Sequence, residues 1–276
     1  MHADSSDQKA RDSWALVTGA SAGIGEEFCR QLAGRGWSLV MVARREERLR
    51  ELADELERTH AIRCRPIAQD LADIQAVPNL IRTLDEEGLE IGFLVNNAGY
   101  GVPGVFTASD WRTHADSLQV MLNSVCELCW SLLPSMQARK NGYIVNVASL
   151  AGLSPGSAGH TLYAATKSFL IKFSESLASE NLDTGVAVSA LCPGFTYSEF
   201  HDVTGTRKLV SRMPDYMWMN ATEVVRFGIE SVMSKEPLVT AVPGRVNRFI
   251  ATLVRLMPRK TALRFTQRQS RRWRAR

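Results

Sequence analysis

The sequence predicts a doubly wound α/β fold on a parallel sheet, and three observations carry that prediction. Short β-rich runs alternate with longer helix-period segments from about residue 14 to residue 243. The runs are nearly continuous in apolar residues, as strands covered by helices on both faces require. The 276-residue chain is 45% apolar and 22% charged, the balance of an ordinary globular domain with a filled core and not of a disordered chain or a disulfide scaffold.

Taken in order, Trp14–Thr18, Ser38–Ala43, Ile62–Ile67, Ile91–Val95, Tyr143–Ala148, Val186–Leu191 and Leu238–Val242 read as strands. Helical periodicity fills the gaps near 23–35, 45–59, 73–86, 110–138, 161–183 and 221–234. Parallel neighbours need right-handed crossovers, and each gap is long enough to supply one. No internal repeat or Pro/Gly-rich linker divides this stretch. The expected organisation is a polar tail over 1–12, one domain over 13–244 and an extension over 245–276.

The first strand runs into Thr18-Gly19-Ala20-Ser21-Ala22-Gly23-Ile24-Gly25, after which helical periodicity begins. Glycines there permit a tight turn and let backbone approach a pyrophosphate, whose charge meets the helix N-terminus. The spacing is GxxxGxG, not GxGxxG, and three glycines also serve close packing alone. The second strand ends Val42-Ala43-Arg44-Arg45, with no acid before Glu46. An acid there would hold a ribose 2′-hydroxyl, whereas a guanidinium meets a 2′-phosphate, so Arg44 points to NADP(H). The competing reading is a solvated arginine pair beside Glu46 and Glu47.

Tyr163 and Lys167 stand four apart in a helical segment and share a face. An ammonium beside a phenol favours the phenolate, so Lys167 is expected to lower the Tyr163 pKa and suit it to proton transfer. An isolated pair of this kind is common. Here Gly142–Gly152 supplies a strand ending in Ser149, at the sheet edge where ligands gather in such folds, and Asn96-Asn97-Ala98-Gly99 closes another strand there. Asn123, in the apolar stretch Val120–Val125, is expected to be partly buried and partnered.

With TGASAGIG at 18–25, Asp70, NNAG at 96–99, Asn123, Ser149, Tyr163-x-x-x-Lys167 and Pro193-Gly194 in this order, the chain resembles the classical short-chain dehydrogenase/reductase family over about residues 14–243. The resemblance implies that Gly19, Ser21, Gly23, Ile24, Gly25 and Arg44 line the phosphates and ribose of NADP(H). It implies Asp70 and Leu71 at the adenine, Asn97, Ala98 and Gly99 beside the ribose, and Pro193, Gly194 and Ser198 around the nicotinamide. It makes Tyr163 the catalytic acid/base, Ser149 the group orienting a substrate carbonyl, Lys167 a ribose ligand and Asn123 the anchor of a relay water. The implied reaction is NADPH-dependent reduction of a ketone, by a homodimer or homotetramer. Within the family, PGFTYSEF at 193–200, VARREERL at 42–49 and the basic extension look like bacterial ketoreductases of lipid or cell-envelope metabolism, such as 3-oxo-mycolate reductases. The substrate class expected is therefore a long-chain 3-oxoacyl or other lipid-like ketone. Alternatives are a steroid or small-ketone enzyme, a non-catalytic NADP(H) sensor and a membrane-surface scaffold; the last two leave Asn123, Ser149, Tyr163 and Lys167 unexplained.

Two departures from the family pattern stand out. Ser149 to Tyr163 is one residue longer than usual, which leaves Ser157 as a competitor for the carbonyl, and Ser198 replaces a usual Thr. Ser198–Asn220 is rich in Met and aromatics, including Met213, Tyr216, Met217, Trp218 and Met219; it reads either as an adaptable lid or as packing for a helix pair.

Charge is uneven: residues 245–276 hold ten Arg, one Lys and no acid, a charge of +11 against −7 for the rest. Val246, Phe249, Ile250, Leu253, Val254 and Met257 recur at helical spacing there, which reads as attachment to an anionic membrane surface or as a stripe packed on protein. Nucleic acid is not expected, since aromatic interleaving and a known motif are lacking. The start of the chain resembles no signal peptide and no apolar run is long enough to span a bilayer. Cys29, Cys64, Cys126, Cys129 and Cys192 are scattered as reduced thiols would be, so the expected location is cytoplasmic, peripheral to the inner membrane face.

Overall fold

The computed structural model describes residues 13–159, 161–197, 214–264 and 266. Seven parallel strands form the sheet in the order β3-β2-β1-β4-β5-β6-β9: β1 is Trp14–Thr18, β2 Ser38–Ala43, β3 Cys64–Ala68, β4 Ile91–Asn96, β5 Gly142–Val147, β6 Val186–Leu191 and β9 Thr240–Ala241. The order reverses between β1 and β4, which opens a crevice beyond their carboxyl ends. Helices α1 (Gly23–Ala33), α2 (Glu46–Thr59), α3 (Ala76–Glu86), α5 (Ser124–Ala138), α7 (Thr161–Glu180) and α8 (Ala221–Val232) cover the two faces. Successive strand residues serve opposite cores. Leu16, Val40, Leu94 and Ile144 pack with Leu128 and Leu170, while Val17, Met41, Val95 and Val145 pack with Phe28, Leu32 and Val224.

The expected strands are present, with ends shifted by one residue in β4 and β5 and by more at the two edges. The third runs over Cys64–Ala68, not 62–67; it is an edge strand and so tolerates Pro66, which cannot donate to a ladder. The seventh, expected over 238–242, is reduced to Thr240–Ala241 because only β6 pairs with it.

The helix expected over 110–138 is broken into α4 (Trp111–Leu118), a π turn over Gln119–Asn123, and α5. Ser124 explains the break. Its Oγ donates to Gln119 O at 2.9 Å and lies 3.1 Å from Leu71 O, so a hydroxyl competes with the backbone ladder there and widens the turn. Ser149 opens the short helix α6 (Leu150–Leu153).

Most of the aromatic stretch before α8 lies outside the described residues, and its described end forms a strand. Strand β7 (Phe195–Tyr197) pairs with β8 (Trp218–Asn220), and Trp218 stacks on Tyr197 with ring centroids 4.7 Å apart. Ser198 and Met213 lie outside the described residues. All five cysteines are free thiols. Beyond β9, Gly244 takes φ +83° and leads into α9 (Arg245–Leu256).

Candidate active site

The glycine turn lies in the crevice between β1 and β4. Gly19 has φ +67°, and a Cβ on it would stand 2.7 Å from Asn97 Nδ2 and 3.0 Å from Ala98 Cα. A Cβ on Gly25 would collide with the Gly19 carbonyl and stand 2.5 Å from Asn97 Nδ2. Turn, helix start and the end of β4 thus meet at backbone distance, which only glycine permits. Asn97 clamps the arrangement: Nδ2 donates to Thr18 O at 3.0 Å and Gly19 O at 3.3 Å, while the backbone N–H groups of Asn97 and Ala98 both donate to Thr18 Oγ1 at 3.0 Å. Ser21 is buried, Ile24 is half-buried and Gly23 has φ +57°. Such a close turn at a helix N-terminus fits a pyrophosphate.

At the other end of this crevice Arg44 is exposed, with Nη1 3.9 Å from Asp70 Oδ2. Asp70 Oδ1 accepts from Ala72 N at 3.0 Å, and Leu71 is buried behind it. Sequence reasoning missed Arg45. Its Nε donates to Ser21 Oγ at 3.1 Å and its Nη2 to Ser21 O at 3.2 Å, tying the end of β2 to the glycine turn. The doubled arginine was the available signal, but sequence alone does not show which of the two reaches back.

The proposed chemical groups meet at the ends of β5 and β6. Ser149 caps α6, accepting from Ala151 N at 3.1 Å, and its side chain lies beside that of half-buried Tyr163, near enough to act on its titration. Lys167 is buried; Nζ donates to Val147 O at 2.6 Å and lies 5.7 Å from the Tyr163 ring centroid. The approach of α6 to α7 depends on Gly152, where a Cβ would stand 2.6 Å from Lys167 C. Leu150 N donates to Pro193 O at 2.9 Å, bringing the Pro193-Gly194 bend against Ser149. Gly99 lines the same space, where its Cβ would stand 3.8 Å from Lys167 Nζ.

Two expectations are corrected here. Asn123 is exposed, not partly buried; it ends the π turn with its side chain turned along the helix, where Nδ2 donates to Gln119 Oε1 at 2.7 Å. The Tyr163 pKa is raised, not lowered. Burial disfavours the phenolate, the neighbouring Ser149 side chain opposes this only in part, and the Lys167 ammonium is engaged by a carbonyl. Burial also lowers Lys167 to about 8, against a smaller opposing effect of the Cys192 thiol.

A stability prediction follows from Lys167. Because its folded pKa of about 8 lies below the ordinary 10.5, the unfolded chain binds more protons between these values, and folding stability gains from rising pH across that window. The stability of the wild type relative to Lys167→Met is expected to increase from pH 8 to pH 10.5 by on the order of a few kcal/mol. Urea unfolding of both proteins across this range measures it; a constant difference would refute the assignment.

Beside Tyr163, Val102, Gly104, Phe106, His114 and Thr161 line a hollow. Phe106 stacks on His114 with centroids 5.0 Å apart, and His114 Nε2 lies 2.8 Å from Phe106 O. Nothing in the sequence pattern marked this wall, since its members come from a loop, α4 and the start of α7.

Residues 13–208 match the family model of the short chain dehydrogenases, and the chain belongs to that family. Among individual proteins, it is 37% identical over 186 residues to the very-long-chain 3-oxoacyl-CoA reductase-A of Danio rerio, covering 66% of this chain and 57% of that one. It is 33% identical over 188 residues to the 17-beta-hydroxysteroid dehydrogenase type 3 of Mus musculus, covering 67% and 60%. The chain thus spans about three fifths of the length of these relatives. The short-chain dehydrogenase from Sphingobium yanoikuyae solved in complex with NADPH superposes with TM-score 0.77 at 28% identity, over 87% of this chain and 92% of that one. A 7beta-hydroxysteroid dehydrogenase structure has TM-score 0.82 at 24% identity, over 94% and 98%, a likeness of fold.

Proposed function

We propose that this chain is an NADP(H)-dependent ketoreductase acting on a long-chain 3-oxoacyl or other lipid-like ketone. The observation that carries the reading is the meeting of the Ser149 and Tyr163 side chains, backed by Lys167, beside a glycine turn at the point where strand order reverses. Arg44 and Arg45 support preference for a 2′-phosphorylated dinucleotide, since two guanidiniums border the ribose end of the crevice. Similarity to 3-oxoacyl-CoA reductases supports the acyl substrate; similarity to a hydroxysteroid dehydrogenase supports a steroid as the second reading.

When bound, the reduced nicotinamide supplies the hydride. The residues of this chain do the rest. The raised pKa keeps Tyr163 a phenol at neutral pH, the form that donates a proton to the oxygen developing negative charge during reduction. The Ser149 hydroxyl stands next to it and orients the carbonyl oxygen. Lys167, anchored on Val147 O, offers remaining N–H donors to a ribose, and Asn123 anchors a relay water from the π turn. Pro193 and Gly194 would hold the nicotinamide end of that cofactor, since their bend lies against Ser149. The assembly proposed is a homodimer or homotetramer; Trp130, 78% exposed on α5, is an apolar side chain of the kind such an interface covers.

NADPH oxidation against ketones of graded chain length tests the reading, with turnover rising with chain length as the expected result. Cofactor binding without turnover on any ketone would favour a sensor instead. In the same assay, replacing Arg44, which makes no contact with the glycine turn, with Ala is expected to lower kcat/KM for NADPH by about tenfold, with little change for NADH. An equal loss with both cofactors would remove the 2′-phosphate assignment.

A further inference from the structure

Helix α9 presents two faces of different character. Its inner face packs on the site: Asn247 is buried, Nδ2 donates to Pro243 O at 3.0 Å, and its amide stands 2.7 Å from where a Cβ on Gly194 would be. Ile250, Ala251 and Val254 continue this face half-buried, and α9 also contacts α6, the helix that Ser149 caps. The single apolar stripe expected from sequence is therefore split. Val246, Phe249, Leu253 and Leu256 form a second row pointing outward, with Phe249 68% and Leu256 77% exposed. Arg245 and Arg255 flank that row, Arg248 turns its guanidinium over the Phe227 ring of α8 at 5.8 Å, and exposed Arg259, Lys260 and Arg264 follow it.

We propose that the outer face of α9 seats on an anionic lipid bilayer, with Phe249, Leu253 and Leu256 among the acyl chains and the flanking arginines at the phosphates. Charge decides the occupant. Residues 245–276 carry eleven cations and no acid, which complements anionic headgroups. A second copy seated two-fold on the same face would set these cations against each other, over four side chains on one helix, well short of the roughly 800 Å² per partner of a stable interface. Among the described residues no helix is long and apolar enough to cross a membrane. Because the inner face of the same helix touches the Pro193-Gly194 bend, the site lies directly behind the membrane-bound face. Seating there would keep the enzyme at the surface that holds a lipid ketone, a consequence that rests on the ketoreductase reading.

The test uses the full chain, the double variant Phe249→Ser/Leu253→Ser and two kinds of vesicle, phosphatidylcholine alone and an equimolar mixture with phosphatidylglycerol. The wild type is expected to sediment with the mixed vesicles about tenfold more than with the neutral ones, and the variant to lose about tenfold of that binding. Thermal unfolding of the variant is expected to match the wild type, because both side chains point outward. Equal binding by variant and wild type, or equal binding to both vesicles, overturns the proposal, as does a wild-type dimer that the variant abolishes while vesicle binding persists. NADPH oxidation separates the two readings. A short water-soluble ketone should be reduced equally by both proteins, and a long-chain ketone held in mixed vesicles several-fold more slowly by the variant. If neither ketone is reduced, the ketoreductase reading fails while sedimentation still decides the surface.

Discussion

Replacing Tyr163 with Phe is expected to lower kcat for ketone reduction by about 10³-fold while changing NADPH affinity by less than about threefold. The substitution removes one oxygen and leaves the ring, so the packing beside Lys167 is retained. Ser149 keeps its hydrogen bond from Ala151 N, so α6 stays capped. Neither the glycine turn nor the two arginines depends on the phenol, which is why binding is spared. Stopped-flow turnover together with fluorescence titration of NADPH measures both quantities. Turnover within tenfold of the wild type would remove Tyr163 as the proton donor.

Gly25→Ala is expected to have the opposite signature, a loss of about 10²-fold or more in NADPH affinity accompanied by a lower Tm. The new methyl would run into the Gly19 carbonyl and the Asn97 amide, neither of which can yield without opening the turn. Asn97 Nδ2 holds Thr18 O and Gly19 O together, so displacing it also loosens the β1–β4 junction. Overpacking of this kind costs roughly 1–3 kcal/mol in stability. Gly156→Ala is the control, because nothing lies within 4 Å of its added Cβ. Titration and thermal unfolding of both variants check the expectation; if Gly25→Ala behaves like Gly156→Ala, the turn does not form the proposed cradle.

The strands were readable because burial on both faces selects unbroken apolar runs, and Trp14–Thr18 and Ser38–Ala43 are buried almost throughout. Where only one side of a strand is paired, as at Thr240–Ala241, the same composition gave no clue to length. The break at Gln119–Asn123 was hidden because periodicity continues through it, and its cause is a hydroxyl reaching a carbonyl on Leu71, 53 residues away in the chain. Arg44 and Arg45 are chemically identical in sequence; only the fold brings Arg45 back to Ser21.

By itself the sequence determined the α/β architecture, the glycine turn and the grouping of Ser149, Tyr163 and Lys167, because strand burial, backbone sterics and helical spacing are local properties that residue order encodes. Tertiary structure alone decided the direction of the Tyr163 and Lys167 pKa shifts, the exposure of Asn123 and the division of α9 into a face on the site and a face outward. Desolvation, the reach of a guanidinium and the partner of a helix face depend on atoms brought close by folding from distant parts of the chain.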